Sequence, residues 1–489
     1  MNMLKRIISA MLLAALLAVP LVSCSSGGDT EDAATDTTSA DTAEASDTEP
    51  EERQPYLPSE DYNGAKFHIL SPTSTTALIY LFTEEENGDE LNDAVYRRNL
   101  ATEEYLGVDI SWEAECQIAE LAGIVSKTVQ AGDDTYQMVL ADSMRGNTQM
   151  VSEGLLYDIA TIDSVDLSRS YWNATLLDAL TIYGKVFFAK SAYTLPSVAV
   201  ATFNKQMVAD MGMDNPYDLV RSGKWVLDAF IGMVKDVGSD INGDGVMDVN
   251  DRYGMTCMMD YPLDCFIYSS GLTITKLNSE GRMELSIYSE KAIELYEKLY
   301  SLINESGSTF HWTWGDKDNA AKKVTMHSGR TLFELNRTDN LYTLRDCEVE
   351  YGIVPYPKHD ENQENFSIND YSRLMCMPIT VSDPEMAGKV FEMLGYYTEE
   401  YVYPAYYEGL MNNKVVRDDE SIDMLGIIFD SVVCDGGMSY FGLNAGGMQS
   451  IMYYVSTKLS KGDKDFASFY ASVESKAAGE IDSFYDSIK

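Results

Sequence analysis

The chain has 489 residues, of which 45% are hydrophobic and 11% aromatic, so it can bury a large core and is not disordered throughout. Asp and Glu outnumber Lys and Arg by 78 to 36, which gives a formal net charge of -42. That charge repels phosphate backbones and anionic head groups, so it argues against non-specific binding of nucleic acid and favours a neutral or cationic ligand.

The amino-terminal segment has the pattern of a targeting signal. Lys5 and Arg6 precede an apolar run over residues 7–22, and this run ends in Leu-Val-Ser-Cys at Cys24, which resembles a bacterial lipobox. The pattern predicts removal of residues 1–23 as a signal peptide and attachment of lipid to Cys24, which would hold the protein on the extracellular face of the cell membrane. An ordinary secretory signal and a short transmembrane helix are the alternatives.

Residues 24–56 are predicted to form an acidic, disordered tether. They consist mainly of Ser, Thr, Asp, Glu, Ala and Gly, and they offer almost no side chain that could join a core. The folded part of the chain therefore begins near Leu57.

From Leu57 onwards the hydrophobic pattern alternates between strands and helices, which indicates an α/β fold. In the first part the spacing predicts βαβ units and a mostly parallel sheet. A second α/β segment begins near residue 196. The predicted strands are residues 64–70, 108–110, 136–140, 331–335, 351–354 and 374–379, and the predicted helices are residues 91–106, 118–130, 205–211, 225–237, 384–397 and 421–434.

An acidic loop over residues 240–251 has the ligand spacing of a calcium site. Oxygen-bearing side chains stand at positions 1, 3, 5, 9 and 12 of this twelve-residue loop, Gly245 is at the sharp turn, and Val246 can offer a backbone carbonyl. The sequence therefore predicts a structural Ca²⁺ ion, and an Asx-rich turn without metal is the alternative. The predicted ligands are Asp240, Asn242, Asp244, Val246, Asp248 and Asp251.

The sequence contains no familiar catalytic signature. It has no GxSxG elbow, no GxxxxGK[ST] phosphate loop and no HExxH zinc motif, and its four histidines are widely separated. The cysteines after Cys24 show no CxxC spacing, so they indicate neither a disulfide framework nor a zinc ribbon, and whether any of them pair stays open. A pair of catalytic carboxylates cannot be recognised among 78 acidic residues, because only their separation in space would identify it.

Aromatic side chains cluster at several places, as in proteins that bind sugars. The C–H faces of sugar rings stack on aromatic rings while neighbouring polar side chains bind the hydroxyls. The clusters include Tyr171 with Trp172, Trp312 with Trp314, and Tyr261. Any one of these rings could instead belong to the core. Trp312 and Trp314 would face opposite sides of an extended segment, so at most one of them would line a pocket.

Several short stretches occur in a fixed order along the chain. They are LNDAVYRRN at 91–99, YQMVLAD at 136–142, GLLYD at 154–158, FNK at 203–205, GKW at 223–225, DRYG at 251–254, SGR at 328–330, YGIVPYPK at 351–358 and RDDES at 417–421. In this order they resemble the extracellular solute-binding proteins of ABC transporters, of the maltose-binding-like (family 1) type. The resemblance covers about residues 64–489.

The resemblance implies an α/β, type II periplasmic-binding-protein-like clamshell, in which two lobes joined by a hinge close on a ligand. It implies lobe 1 at residues 57–195 plus 323–375, and lobe 2 at residues 196–322 plus 376–489. It also implies a lipid-anchored monomer that captures a sugar or oligosaccharide, catalyses no reaction, and delivers its ligand to the permease subunits of an ABC importer.

The same resemblance implies ligand contacts from loops that follow strands. Gln137 stands where relatives often have Asp, which changes the solvated end of a strand. The implied ligand-binding residues are Asp142, Arg145, Tyr171, Trp172, Asp260, Tyr261, Trp312 and Arg330.

Two other functions remain as alternatives at this point. One is a secreted, calcium-stabilised glycoside hydrolase that uses a carboxylate pair. The other is a scaffold component, because the acidic loop also resembles half of a dockerin, although dockerins pair two such loops in a short terminal module. The ligand stays open between mono-, oligo- and uronic sugars, a peptide and a polyamine, because the charge of a whole chain does not fix the charge of a cleft.

Overall fold

Two β-sheets form the framework of the protein. The chain divides into two units, Met1–Pro58 and Ser59–Lys489, and the description below concerns the second. The predicted signal peptide, Cys24 and Asp260 lie outside the described residues. The computed structural model describes residues 54–73, 81–258, 261–312, 323–412 and 415–488.

The strands and helices are numbered here in chain order. None of the described helices is both long and apolar enough to cross a membrane. The strands are β1 (Ala65–Pro72), β2 (Val108–Cys116), β3 (Met138–Ala141), β4 (Ala199–Asn204), β5 (Tyr253–Met258), β6 (Thr275–Leu277), β7 (Met283–Leu285), β8 (Thr309–Trp312), β9 (Thr331–Arg337), β10 (Tyr351–Val354), β11 (Ile368–Asn369), β12 (Leu374–Cys376) and β13 (Val432–Val433). The helices are α1 (Glu90–Leu106), α2 (Leu121–Gln130), α3 (Asn147–Ser152), α4 (Ala174–Leu180), α5 (Lys205–Asp210), α6 (Pro216–Arg221), α7 (Leu227–Val234), α8 (Tyr261–Ser269), α9 (Glu290–Tyr300), α10 (Pro384–Tyr397), α11 (Tyr403–Asn412), α12 (Asp419–Asp430), α13 (Gly436–Phe441), α14 (Gly447–Met452), α15 (Tyr454–Thr457) and α16 (Phe466–Ser487).

The first sheet has the strand order β12-β3-β1-β2. β1 runs parallel to β2 and β3, and β12 runs antiparallel to β3. Helix α1 begins after Asp89, whose side chain accepts a hydrogen bond from the Asn92 N–H, and it ends at Gly107 in the left-handed conformation. Phe67 and Ile69 of β1 are fully buried beneath the connecting helices. The predicted βαβ units are therefore confirmed in this sheet.

The second sheet has the strand order β10-β4-β9-β5-β8 and is mixed. β5 is parallel to β8 and β9, whereas β4 is antiparallel to β9 and β10. The boundary implied by the resemblance places residues 323–375 in lobe 1. For β9 and β10 that boundary is wrong, because their backbone hydrogen bonds join them to β4 in the second sheet.

Helix α10 belongs with the first sheet, although residues 376–489 were implied to form part of lobe 2. Phe391 of α10 meets Phe67 of β1 edge to face, with ring centroids 6.3 Å apart. Lys389, also in α10, donates to the Tyr62 hydroxyl at 2.9 Å. The implied boundary is wrong for this helix too, since its buried face packs on lobe 1.

Three segments of the chain run side by side between the two sheets, at residues 195–198, 368–373 and 431–433; we refer to them as the crossing segments. Val198 forms an antiparallel bridge with Asp370. The Tyr371 N–H donates to the Ser197 carbonyl at 2.9 Å, which ties the first segment to the second. β11 and β13 pair in parallel and tie the second segment to the third. The two lobes are thus joined by a narrow hydrogen-bonded strip.

Candidate ligand site

The carboxyl ends of the parallel strands in both sheets face the crossing segments. β3 ends at Ala141, which pairs with Leu374 directly after the second crossing segment. β9 ends at Arg337, which pairs with Ala199 directly after the first crossing segment. Since β5 and β8 run parallel to β9, they end on the same side. Ligands of open α/β sheets bind beyond the carboxyl ends of strands, so the candidate site lies between these two edges.

The loop that follows β3, residues 142–146, is fixed to a crossing segment by an ion pair. Arg373 donates from Nη1 to the Asp142 carboxylate at 2.7 Å, and both side chains are almost buried. The second Asp142 oxygen accepts the Met144 N–H at 3.0 Å. Gly146 then turns the chain into α3 with a φ of 82°, a left-handed conformation that favours glycine. The structure therefore uses Asp142, a predicted ligand residue, to position the loop.

Three side-chain atoms in this loop and at the start of α3 are buried and have no hydrogen-bond partner among the described residues. They are Ser143 Oγ, Arg145 Nε and Asn147 Oδ1. The Asn147 amide nitrogen is already used, because it donates to the carbonyls of Asp142 at 2.9 Å and Ser439 at 2.7 Å. A buried polar atom without a partner costs about 1–3 kcal/mol, so atoms of this kind are candidate contacts for a ligand.

The carboxyl-terminal part of the chain forms one wall of the site. The Leu443 N–H donates to the Met144 carbonyl at 2.6 Å, and the Tyr453 hydroxyl lies 3.3 Å from the Met144 sulfur. Thr148 donates its hydroxyl to the Tyr440 carbonyl. These contacts join residues about 300 positions apart in the chain, and no local sequence pattern predicts them.

A group of tyrosines lies on the side of the second lobe. The Tyr268 hydroxyl is buried and has no hydrogen-bond partner in the part of the chain that the structure describes, and the Tyr371 hydroxyl lies 3.4 Å from the Cys265 sulfur. Burial, followed by the proximity of Asp435 and Tyr453, raises the pKa of Tyr268 well above its ordinary value. Burial also raises the pKa of Tyr371. Both phenols therefore stay neutral and can donate a hydrogen bond.

Tyr171 and Trp172, predicted to bind ligand, lie instead in the protein interior, with 3% and 4% of their surfaces exposed. The Trp172 indole N–H donates to one oxygen of Glu392 in α10 at 2.8 Å, and the Tyr171 hydroxyl donates to the other. These polar atoms are thus engaged within lobe 1. This placement differs from the predicted role of the two rings as a surface for the ligand. The rings are buried against α10, where Glu392 accepts their hydrogen bonds.

The other predicted ligand residues are spread over the second lobe. Arg330 donates to the carbonyls of Asn250 at 2.7 Å and Val249 at 2.9 Å, so it holds the end of the acidic loop and is not brought to the site. Trp312 is half-buried at the carboxyl end of β8, on the edge where the site lies. Tyr261 begins α8, and its side chain lies outside the described residues.

The acidic loop is held by hydrogen bonds from its own backbone. Asp240 accepts the N–H groups of Gly243 at 2.6 Å and Gly245 at 2.8 Å, and Asp251 accepts those of Ile241 at 3.0 Å and Asp248 at 2.8 Å. These backbone donors, that of Asp248 first, hold the pKa of the Asp251 carboxyl below its ordinary value. Across the described ranges, no three His, Cys, Asp or Glu side chains are arranged to hold a metal ion. The carboxylates of Asp240 and Asp251 thus accept backbone N–H groups within the loop, as in Asx turns.

No protein-family model and no curated protein sequence matches the chain. Solved structures do share its fold. An ABC substrate-binding protein from Listeria monocytogenes, in complex with cycloalternan, aligns with a TM-score of 0.53 at 12% identity over 87% of this chain and 98% of its own. The GacH receptor of Streptomyces glaucescens, described with acarbose, aligns with a TM-score of 0.55 at 11% identity over 87% and 98%.

A third similar structure is an ABC transporter solute-binding protein from Thermotoga lettingae bound with α-D-tagatose. It aligns with a TM-score of 0.52 at 13% identity over 86% of this chain and 100% of its own. The predicted fold is therefore confirmed: the chain has the two-lobed α/β fold of periplasmic-binding-protein-like proteins.

Proposed function

We propose that the protein is a solute-binding protein that captures a sugar or oligosaccharide between its lobes and delivers it to the permease subunits of an ABC importer. The observation that carries the proposal is the group of buried polar atoms at Ser143, Arg145 and Asn147, directly after β3, that have no partner among the described residues. Support comes from the fold, since similar structures are described with bound saccharides. A likeness of fold does not by itself transfer a function, so the proposal needs a binding test.

In this proposal the crossing segments act as the hinge. A ligand that contacts both lobes stabilises the closed arrangement by the difference in its affinity for the closed and open arrangements. The buried Lys190–Asp370 pair and Ser372 keep the segments aligned while the lobes move: Lys190 Nζ donates to the Asp370 carboxylate and to Ser372 Oγ. Rotation is then confined to a few backbone positions at the ends of the strands.

The protein is proposed to bind its ligand without changing it. Asp142, the carboxylate placed at the end of β3, is paired with Arg373 and so is poorly suited to act as a general acid. The similar structures named above are described as binding proteins or a receptor. The glycoside hydrolase alternative finds no support in them.

We also propose that the protein is a monomer held at the extracellular face of the cell membrane by lipid on Cys24, after removal of residues 1–23. The sequence pattern at Cys24 is the basis for this location. Labelling cells with a radioactive fatty acid should mark the wild-type chain. A Cys24→Ala variant should lose the label and leave the membrane fraction, and an equally labelled variant would refute the anchor.

A structural Ca²⁺ ion in the acidic loop is the last part of the proposal. Its basis is the spacing of oxygen-bearing side chains from Asp240 to Asp251. Millimolar CaCl₂ should raise the melting temperature above that measured in EGTA, and Asp244→Asn should reduce this difference. Asp236→Asn, at an exposed position outside the loop, is the matched control. If CaCl₂ and EGTA give one melting temperature, the turn holds no calcium.

The function is tested with the full chain, purified in mild detergent and screened by thermal shift against neutral and acidic oligosaccharides. A ligand at 100 times its dissociation constant should add about 2.7 kcal/mol to the free energy of unfolding. The bound sugar, recovered by mass spectrometry, should be unchanged. Consumption of the sugar would identify an enzyme instead, and the absence of any shift across the panel would count against sugar binding.

A further inference from the structure

The candidate site offers hydrogen-bond donors of a particular kind. Of its three unpartnered buried atoms, Ser143 Oγ and Arg145 Nε belong to groups that can donate, and Asn147 Oδ1 accepts. Arg145 contributes a guanidinium, which carries a permanent positive charge and a planar set of donors. Two of the three atoms therefore belong to donors, and one of these donors is a cation.

Arg145 has no acidic partner among the described residues. Some other arginines do have one, such as Arg97 with Glu86, Arg282 with Asp482, and Arg373 with Asp142, whereas Arg330 and Arg417 donate to backbone carbonyls. The position of Arg145 between two sheet edges keeps its guanidinium available.

The neighbouring charges leave the loop with a net positive charge. Asp142, three residues before Arg145, is neutralised by Arg373 at 2.7 Å. The backbone on either side of Arg145 is also fixed, because the Met144 carbonyl accepts the Leu443 N–H and Asn147 donates to two carbonyls. A guanidinium on a fixed backbone beside a neutralised carboxylate is prepared for an anionic group, since little ordering is left to occur on binding.

We propose that the sugar captured at this site carries an oxyanion, the carboxylate of a uronic residue or a sulfate ester, which binds the Arg145 guanidinium with the Ser143 hydroxyl as a second donor. This inference rests on the proposed function and refines it. The planar donors of an arginine match the paired oxygens of such an anion. The overall charge of -42 favours a neutral or cationic ligand, and the local charge at Arg145 reverses that expectation within the site.

The test is isothermal titration calorimetry of the full chain with three matched trisaccharides: a neutral galactoside, its uronate counterpart, and its sulfate ester. The wild-type protein should bind one anionic member at least about tenfold more tightly than the neutral one, as expected for a charge-assisted hydrogen bond. The preferred anion distinguishes carboxylate from sulfate. Arg145→Gln should remove the preference, and Arg145→Lys should retain part of it because the charge remains without the planar fork.

Arg97→Gln is the matched control, since Arg97 forms an exposed pair with Glu86 elsewhere in lobe 1. It should leave all affinities unchanged, and circular dichroism should show that the variants are folded. Equal or tighter binding of the neutral trisaccharide would refute the proposal of an anionic ligand and leave the proposed function standing. The same conclusion would follow if Arg145→Gln kept the preference for the anionic trisaccharide. Binding of none of the three trisaccharides would overturn both.

Discussion

Lys190 and Asp370 form an ion pair in which only 4% and 1% of the side-chain surfaces are exposed. Lys190 lies before the first crossing segment, beside the first sheet, and Asp370 lies within the second crossing segment, so the pair fixes that segment to lobe 1. A buried charge depends on its partner, because water cannot replace the partner when it is removed. Removing one member of this pair should therefore cost more stability than breaking an exposed pair.

Replacing Lys190 with Met should destabilise the protein by about 3–5 kcal/mol, because the Asp370 carboxylate would remain buried without its counter-charge. Urea denaturation monitored by circular dichroism measures the change. Glu86→Gln, which breaks an exposed pair with Arg97, should cost no more than about 1 kcal/mol. Equal losses in the two variants would contradict the importance assigned to the buried pair.

Trp172→Phe should lower stability and leave ligand affinity unchanged. The substitution keeps an aromatic ring but removes the N–H that donates to Glu392 at 2.8 Å, at a cost of about 1–3 kcal/mol. Thermal denaturation and sugar-binding calorimetry on one preparation separate the two effects. A loss of affinity with unchanged stability would return Trp172 to the ligand site.

Glu334 gives the protein a pH-dependent stability. Burial raises the pKa of this carboxyl to about 7, against the opposing effect of a hydrogen bond from the Met326 N–H. The folded state therefore binds a proton that the unfolded state has released, so stability should fall as the pH rises from about 4.5 to about 7 and should change little from this group above that range. Over this pH range the shifted pKa of Glu334 should lower the free energy of unfolding by about 3 kcal/mol.

A Glu334→Gln variant should lose this part of the pH dependence, because its amide can still accept the Met326 N–H but does not titrate. The free energy of unfolding, measured by urea denaturation at several pH values, should then favour the variant most above pH 7. Glu348→Gln, at an exposed position of the same lobe, provides the comparison. Parallel pH profiles for the wild type and Glu334→Gln would disprove the assignment.

Arg330→Ala should loosen the acidic loop and leave the sugar site intact. The guanidinium holds the carbonyls of Val249, Asn250 and Lys323, and losing these bonds should cost about 1–3 kcal/mol. Hydrogen exchange should speed up in residues 240–251, while sugar affinity stays constant. A selective loss of affinity would instead support the ligand role implied for Arg330 by the resemblance.

Each strand and helix that the sequence predicted is present in the structure, because the patterns of these elements are local. The hydrophobic spacing of α1 and the residues that cap it lie within about twenty positions of the sequence. The loop after β3, with Asp142 and Arg145, could be predicted as part of the site because ligands of α/β sheets bind at the carboxyl ends of strands. The lobe boundaries could not be read in this way, because β9 and β10 are assigned by pairing with β4 across more than a hundred residues.

The remaining site residues were missed for the same reason. Arg373 reaches Asp142 across 231 positions, and Tyr453 reaches Met144 across 309. Conversely, Tyr171 and Trp172 were predicted as ligand residues because adjacent aromatics suit a sugar, and nothing near them in the sequence reveals their shared partner Glu392.

The pairing of β12 with β3 sets an order for the folding of the newly made chain. Ala141 at the end of β3 pairs with Leu374, whereas all five strands of the second sheet end by Val354. As the polypeptide emerges from its amino terminus, every strand of the second sheet has appeared before the last strand of the first. The sheet that begins first is therefore completed last, and until then β3 presents an unpaired edge that could pair with another chain.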